Sequence, residues 1–203
     1  MRQNRSSAVM QQCKEAHDSL NDFPTPPWAT RALCEQLHEP LNMMTCREPA
    51  ANRGYMARPL QEYFHQVCAA DIFDYGAGYQ VNDYLFGPEP APVDWTITNP
   101  PFRLAHQFIV RALATSTVGV AIFARIAFLE GKTRHRDLFT RNPPSRILQF
   151  AERVVIHKGK IVPKGKSATA YCWLVWHSRT NNSTLFEWIA PCRKRLEVPE
   201  DYL

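Results

Sequence analysis

Apolar and polar positions change rhythm repeatedly along the middle of this chain. Val93-Asp94-Trp95-Thr96-Ile97-Thr98 reads as a short buried strand, Arg103 to Ala114 has the spacing of a helix, and Val118 to Arg125 is a continuous apolar run of central-strand type. Upstream, Val67-Cys68-Ala69-Ala70-Asp71 reads as another strand, closed by a carboxylate. It is preceded by a helix that runs to about His65. Downstream, Arg146 to Phe150 and Ala168 to Trp176 add strand-like runs. Tyr171, Trp173 and Trp176 fall at strand spacing, for which core packing is the simple expectation. The segment Gly76 to Pro92 is a Gly/Pro-rich connector, and residues 1–20 are polar without a strong pattern. Strands alternating with helices indicate an α/β domain.

Length and charge narrow this further. The 203 residues suffice for one α/β domain and are too few for a second full one. The expected organisation is a loose arm over residues 1–20 and a single domain over 21–203. The formal net charge is +5, but from Arg125 to Lys166 there are 11 Lys or Arg against 3 Asp or Glu, so the remainder is slightly acidic. One-sided basic charge is the footprint of a polyanion-binding face, and equally of a solvated surface. Lys158, Lys160, Lys164 and Lys166 are its candidate phosphate contacts. Cysteines at 13, 34, 46, 68, 172 and 192 form no Cys-x-x-Cys pair and have no His at zinc-ligand spacing, so buried free thiols and no metal are expected. With no signal peptide and no apolar run near 18 residues, a cytoplasmic protein with no membrane partner is the expectation.

The most specific chemistry lies at Asn99-Pro100-Pro101-Phe102, immediately after the strand 93–98. Ligands in open α/β sheets bind at the C-terminal ends of strands. Two prolines fix φ and remove two backbone donors, so the segment leaves the sheet and presents its carbonyls in a set direction. The Asn99 amide oxygen and the Pro100 carbonyl then make two converging acceptors, suited to an exocyclic amine. Phe102 offers a face on which a base can stack. From four residues alone, a rigid strand exit explains the same letters.

The order of further segments resembles that of S-adenosylmethionine-dependent amino methyltransferases, in particular DNA adenine-N6 enzymes of phage and prophage type. Asn99-Pro100-Pro101-Phe102 is similar to their motif IV. Asp22-Phe23-Pro24-Thr25-Pro26-Pro27-Trp28-Ala29-Thr30 resembles motif X, and reads by itself as a helix start with Thr25 as N-cap. Glu48-Pro49-Ala50-Ala51-Asn52-Arg53-Gly54-Tyr55-Met56 follows the apolar stretch Leu41 to Thr45, opens the helix that runs to about His65, and resembles the Glu-Pro-x-x-Gly-x-Gly turn of motif I, with Asn52 in place of the first glycine. Asparagine accepts a left-handed conformation, so the turn can survive. Asn82-Asp83-Tyr84-Leu85 resembles motif III, and the basic stretch 152–160 followed by the aromatic run 167–176 resembles the motif VIII region. Asp74 competes with Asp71 and Asp83 but sits in the turn-like Asp-Tyr-Gly-Ala-Gly.

The resemblance, which covers roughly residues 20 to 190 in the gamma motif order, implies a Rossmann-like class I methyltransferase fold. That fold is a mostly parallel seven-stranded sheet flanked by helices, with one antiparallel strand near the C-terminus. It implies S-adenosyl-L-methionine as cofactor, bound by Thr25, Pro26, Glu48, Pro49, Ala50, Asn52, Gly54, Asp71, Asp83, Tyr84 and Asn99. Asn99, Pro100, Pro101 and Phe102 would form the catalytic segment, and DNA adenine would be the substrate. No separate target-recognition domain is expected. Structured RNA is the alternative substrate, because two acceptors serve any exocyclic amine. A glutamine-N5 protein methyltransferase usually ends this motif in tyrosine, which Phe102 does not match. A non-catalytic nucleic-acid-binding relative stays open through Asn52.

Overall fold

Side-chain alternation divides the central strands between two hydrophobic faces. In the computed structural model, residues 22–163, 165, 167–178 and 183–202 are described. From β5 (Ser116–Arg125), Ala121 and Phe123 point to one face while Val120, Ile122 and Ala124 point to the other. β7 (Tyr171–His177) divides the same way, with Tyr171, Trp173 and Val175 beside Phe123, and Cys172, Leu174 and Trp176 beside Ile122. All three aromatics are therefore core residues, as their spacing predicts. The first face is covered by α1 (Pro27–Cys34) and α2 (Ala57–Tyr63) through Trp28, Leu33 and Leu60. The Trp173 indole N–H donates to the Ala29 carbonyl at 3.0 Å, fixing α1 on the sheet. The second face is covered by α3 (Ala105–Thr115) through Ile109 and Ala112.

The remaining strands are β1 (Thr45–Glu48), β2 (Gln66–Asp71), β3 (Gln80–Val81), β4 (Val93–Thr98), β6 (Arg146–Phe150) and β8 (Leu185–Ile189). They form one sheet in the order β3-β2-β1-β4-β5-β7-β6-β8. Strands β1 to β5 pair in parallel, β7 is antiparallel to both β5 and β6, and β8 is parallel to β6. This is the class I methyltransferase fold, with one reversed strand near the C-terminus as the resemblance implies. Among the described residues the sheet has eight strands, however, and not seven. The extra one, β8, lies at the edge with Leu185, Phe186 and Trp188 exposed, so no buried run announces it.

Two local expectations also need correction. The α1 cap position is Pro26, in an extended conformation, and Thr25 makes no capping bond. α2 begins at Ala57, directly after the segment 48–56 that the sequence reads as opening it, and ends at Tyr63. Cys34, Cys46, Cys172 and Cys192 are buried thiols, but Cys68 is exposed near the edge where the short β3 leaves β2 open. Among the described residues, no helix is long and apolar enough to cross a membrane. Nor does any group of three or more His, Cys, Asp or Glu there come together to hold a metal ion. Residues 1–20 lie outside the described residues.

Candidate active site

Strands β1, β2 and β4 run in parallel and end together, so Glu48, Asp71 and Asn99 reach the same edge of the sheet. They line one cleft. Thr25 enters it from the approach to α1, and Asp83 and Tyr84 from the connector before β4. Pro49, Ala50, Asn52 and Pro101 complete the set of sequence-predicted residues on its walls. Pro26, Gly54, Pro100 and Phe102 do not line it. The walls also include Phe23, from the segment that resembles motif X, and Ile72, Tyr75, Phe86, Leu104 and Phe108, which sequence reasoning missed. Their only sequence signal is adjacency: Ile72 follows Asp71, and Phe86 lies three residues past Asp83.

Glu48 is the most unusual group in the cleft. Its side chain is fully buried, and one oxygen accepts the Ala50 N–H at 2.9 Å and the Thr98 hydroxyl at 2.6 Å. The other oxygen, Oε2, is buried without a hydrogen-bond partner. Loss of hydration pushes the carboxyl up to about 8, against the two hydrogen bonds that favour its ionised form. Thr25 Oγ1 is a second buried atom without a partner in the same cleft. Two such atoms on residues that line one cleft make it fit a ligand carrying both a cation and a hydrogen-bonding anion.

The turn from β1 to α2 keeps the form its sequence suggests. Asn52 has φ +52°, the left-handed conformation a glycine would take. Its N–H donates to Asp71 Oδ2 at 2.8 Å, and the Phe73 N–H donates to Asp71 Oδ1 at 3.0 Å. Desolvation still dominates over these bonds and holds the Asp71 carboxyl above the usual aspartate range. Gly54 has a different duty from the one expected. At φ +83°, a Cβ there would collide with the Tyr79 hydroxyl, so its small size admits Tyr79 and not a cleft ligand. Asp83 uses Oδ1 to accept the N–H groups of Leu85 and Phe86, at 2.9 and 3.0 Å, which shapes the turn around the cleft.

At the end of β4, Asn99 Nδ2 donates to the Phe23 carbonyl at 2.8 Å. That bond assigns the amide orientation and leaves Oδ1 as the acceptor. Phe102 packs against Phe23, with ring centroids 5.5 Å apart and a 34° tilt, and the Arg125 guanidinium carbon lies 4.2 Å from the Phe102 centroid. Its ring is thus already in contact with two neighbours, where the sequence led to an open stacking face.

The basic segment is only partly available charge. Arg134 donates to the Phe128 carbonyl, Arg136 pairs with Asp137, and Arg146 pairs with Glu187 while donating to the Gln36 carbonyl. Lys158 and Lys160 are exposed on a tight hairpin held by the bridge between His157 and Lys160. The Gly159 N–H at its tip donates to the Asp22 carbonyl at 2.8 Å. Lys164 and Lys166 lie outside the described residues.

No protein-family model and no curated protein matches this sequence. Solved structures match in fold. A Listeria monocytogenes protein assigned as a class I S-adenosylmethionine-dependent methyltransferase is 14% identical with a TM-score of 0.65, over 95% of this chain and 72% of that one. The modification subunit assigned to a type I restriction enzyme of Vibrio vulnificus is 14% identical with a TM-score of 0.57, over 97% of this chain and 53% of that one. A Pyrococcus horikoshii protein assigned as an RNA methyltransferase is 11% identical with a TM-score of 0.55, over 87% of this chain and 98% of that one. This chain spans about half the length of the restriction subunit. At these identities the likeness is one of fold.

Proposed function

We propose that this chain transfers a methyl group from S-adenosylmethionine to the exocyclic N6 amine of adenine in DNA. The observation that carries the reading is the oriented Asn99 amide, its nitrogen held by Phe23, on the wall of a cleft that also contains the unpartnered Glu48 Oε2. Glu48 Oε2 would receive the cofactor's ammonium and Thr25 Oγ1 would donate to its carboxylate. Asp71 would bond the ribose hydroxyls and Asp83 the adenine amino group, with Ile72 and Phe86 against the ring. When bound, S-adenosylmethionine supplies an electrophilic sulfonium methyl, so the protein's work is alignment.

Asn99 Oδ1 and the Pro100 carbonyl would accept the two hydrogens of the target amine. Holding them draws the nitrogen lone pair out of conjugation and toward the methyl group. The proton lost from the methylated ammonium passes to water, since that ammonium is a strong acid. The base must leave the duplex or arrive single-stranded, at a cost of about a few kcal/mol that stacking and phosphate contacts offset. Stacking on Phe102 requires Arg125 or Phe23 to give up one face of the ring. A single catalytic domain over 21–203, with Lys158, Lys160, Lys164 and Lys166 along the nucleic-acid path, is part of this reading.

Digestion of unmethylated DNA and of RNA after incubation with methyl-labelled cofactor, followed by nucleoside separation, tests it. Label in N6-methyladenine from DNA is the expected result. Label in RNA alone assigns the alternative substrate, and label in neither contradicts methyl transfer to nucleic acid.

A further inference from the structure

We infer that Asp22 is a positioning residue that joins the cofactor turn to the basic hairpin, so that filling the cleft organises the loop that meets nucleic acid. The inference rests on the cofactor and substrate assigned above. Its starting point is Asn52, where glycine would give the same left-handed backbone with less steric conflict. The side chain that glycine lacks is fully used. Asn52 Nδ2 donates to Asp22 Oδ1 at 2.8 Å, and Asn52 Oδ1 accepts the Arg53 N–H at 2.7 Å. Asp22 Oδ2 takes a second bond, from the Arg53 guanidinium at 2.9 Å.

The main chain of the same residue bonds a second segment. The Asp22 carbonyl accepts the Gly159 N–H at 2.8 Å, at the hairpin tip between Lys158 and Lys160. Gly159 has φ +74°, and a Cβ there would stand 3.7 Å from Asp22 Oδ2, so tip and carboxylate are in near contact. One residue therefore receives both segments: its side chain holds the cofactor turn, and its carbonyl holds the basic hairpin. The turn is in turn bonded to Asp71 through the Asn52 N–H at 2.8 Å. Asp71 and Asn52 both line the cleft. A ligand that fixes Asp71 thus steadies Asn52, Asp22 and Gly159 in series, and places the hairpin lysines relative to the target amine. Coupling of this kind is reciprocal, so nucleic acid on the hairpin should tighten cofactor binding by the same factor.

Asp22→Ala removes both side-chain bonds and leaves Asn52 intact, while Asp22→Asn keeps an acceptor for Asn52. Amide exchange at residues 157–160 is measured in the full chain with and without S-adenosylhomocysteine, together with DNA affinity in both states and melting temperature. In the parent, S-adenosylhomocysteine should slow exchange at the hairpin and tighten DNA binding severalfold. In Asp22→Ala the hairpin should exchange at least about tenfold faster without ligand, S-adenosylhomocysteine should no longer change DNA affinity, and Asp22→Asn should restore most of the difference. Equal hairpin exchange in the parent and Asp22→Ala, both folded, overturns the inference, as does coupling that survives in Asp22→Ala. If S-adenosylhomocysteine binds neither protein, the cofactor assignment fails, and the ligand-free exchange rates still decide whether Asp22 makes the joint.

Discussion

Glu48→Gln should make the protein more stable and less able to bind its cofactor, and both effects should depend on pH. The wild-type carboxyl is fully buried with one oxygen unpartnered and its protonation midpoint near 8, far above the 4.5 of an ordinary glutamate. Between those values the folded state keeps a proton that the unfolded chain has released. Stability therefore falls as pH rises through this window, and is fully present only below it. At about 1.4 kcal/mol per pH unit, the loss amounts to roughly 4–5 kcal/mol by pH 8. Glutamine does not titrate, and its carbonyl can still accept the Ala50 and Thr98 bonds. For a chain of this size each kcal/mol moves the melting temperature by about 2–4 °C, so the variant should melt on the order of 10 °C higher at pH 8 and close to the parent at pH 5. Binding runs against this trend. A cofactor ammonium at Oε2 favours the carboxylate, so between pH 5.5 and 7.5 wild-type affinity should rise with pH, by up to about tenfold per unit, with one proton released. The window stays below the titration of a free α-amino group. Calorimetry in buffers of different ionisation enthalpy reads the proton directly. Parallel melting curves in parent and variant, or a cofactor affinity that is flat with pH in both, would refute the role given to Glu48.

Stability at the opposite end of the chain depends on a buried ion pair. Both Asp201 oxygens accept from Arg31 at 2.9 Å, and Arg31 also bonds Glu62. Asp201→Ala leaves that guanidinium buried with the half-exposed Glu62 carboxylate and the Leu196 carbonyl as partners and should cost about 3–5 kcal/mol in urea unfolding; a loss below about 1 kcal/mol would show that these two suffice. Replacing Lys158, Lys160, Lys164 and Lys166 together by Gln should lower the slope of log affinity against log salt by about 0.9 per lost contact on duplex DNA. An unchanged slope returns those lysines to a solvated surface.

Central strands were legible in the sequence because both of their faces are buried. β4 matches its apolar run residue for residue, and β5 begins only two residues before its run. β1 was harder to see, since Arg47 and Glu48 lie in it as buried polar groups supported by bonds to Thr115 and Thr98. β8 could not be read, because a strand paired on one side with exposed aromatics has neither a buried run nor clean alternation. In the cleft, Asp71 and Asn99 were found because their residue types are informative where strands end, and Glu48 and Asp83 through the resemblance of their segments to motifs I and III. Ile72 and Phe86 were not, because an apolar wall differs from a core residue only in what it faces. Contacts across long sequence separations were also out of reach: Phe23 and Arg125 against Phe102, and Asp22 between Asn52 and Gly159, are more than 20 residues from each partner, and no local pattern encodes them.

The Asn99 amide is the centre of the functional account, and Asn99→Ala tests it most directly. The variant loses one of two acceptors for the target amine but no proposed ionic contact to the cofactor. Turnover, measured as methyl incorporation into unmethylated DNA, should fall by roughly a hundredfold or more, the scale of losing one preorganised polar contact at a reacting centre. Cofactor affinity by calorimetry should stay near that of the parent. Asn99→Asp, which keeps an acceptor, should retain measurable activity. An Asn99→Ala protein that methylates DNA at the parental rate would contradict the acceptor mechanism and leave Asn99-Pro100-Pro101-Phe102 as a rigid exit from β4.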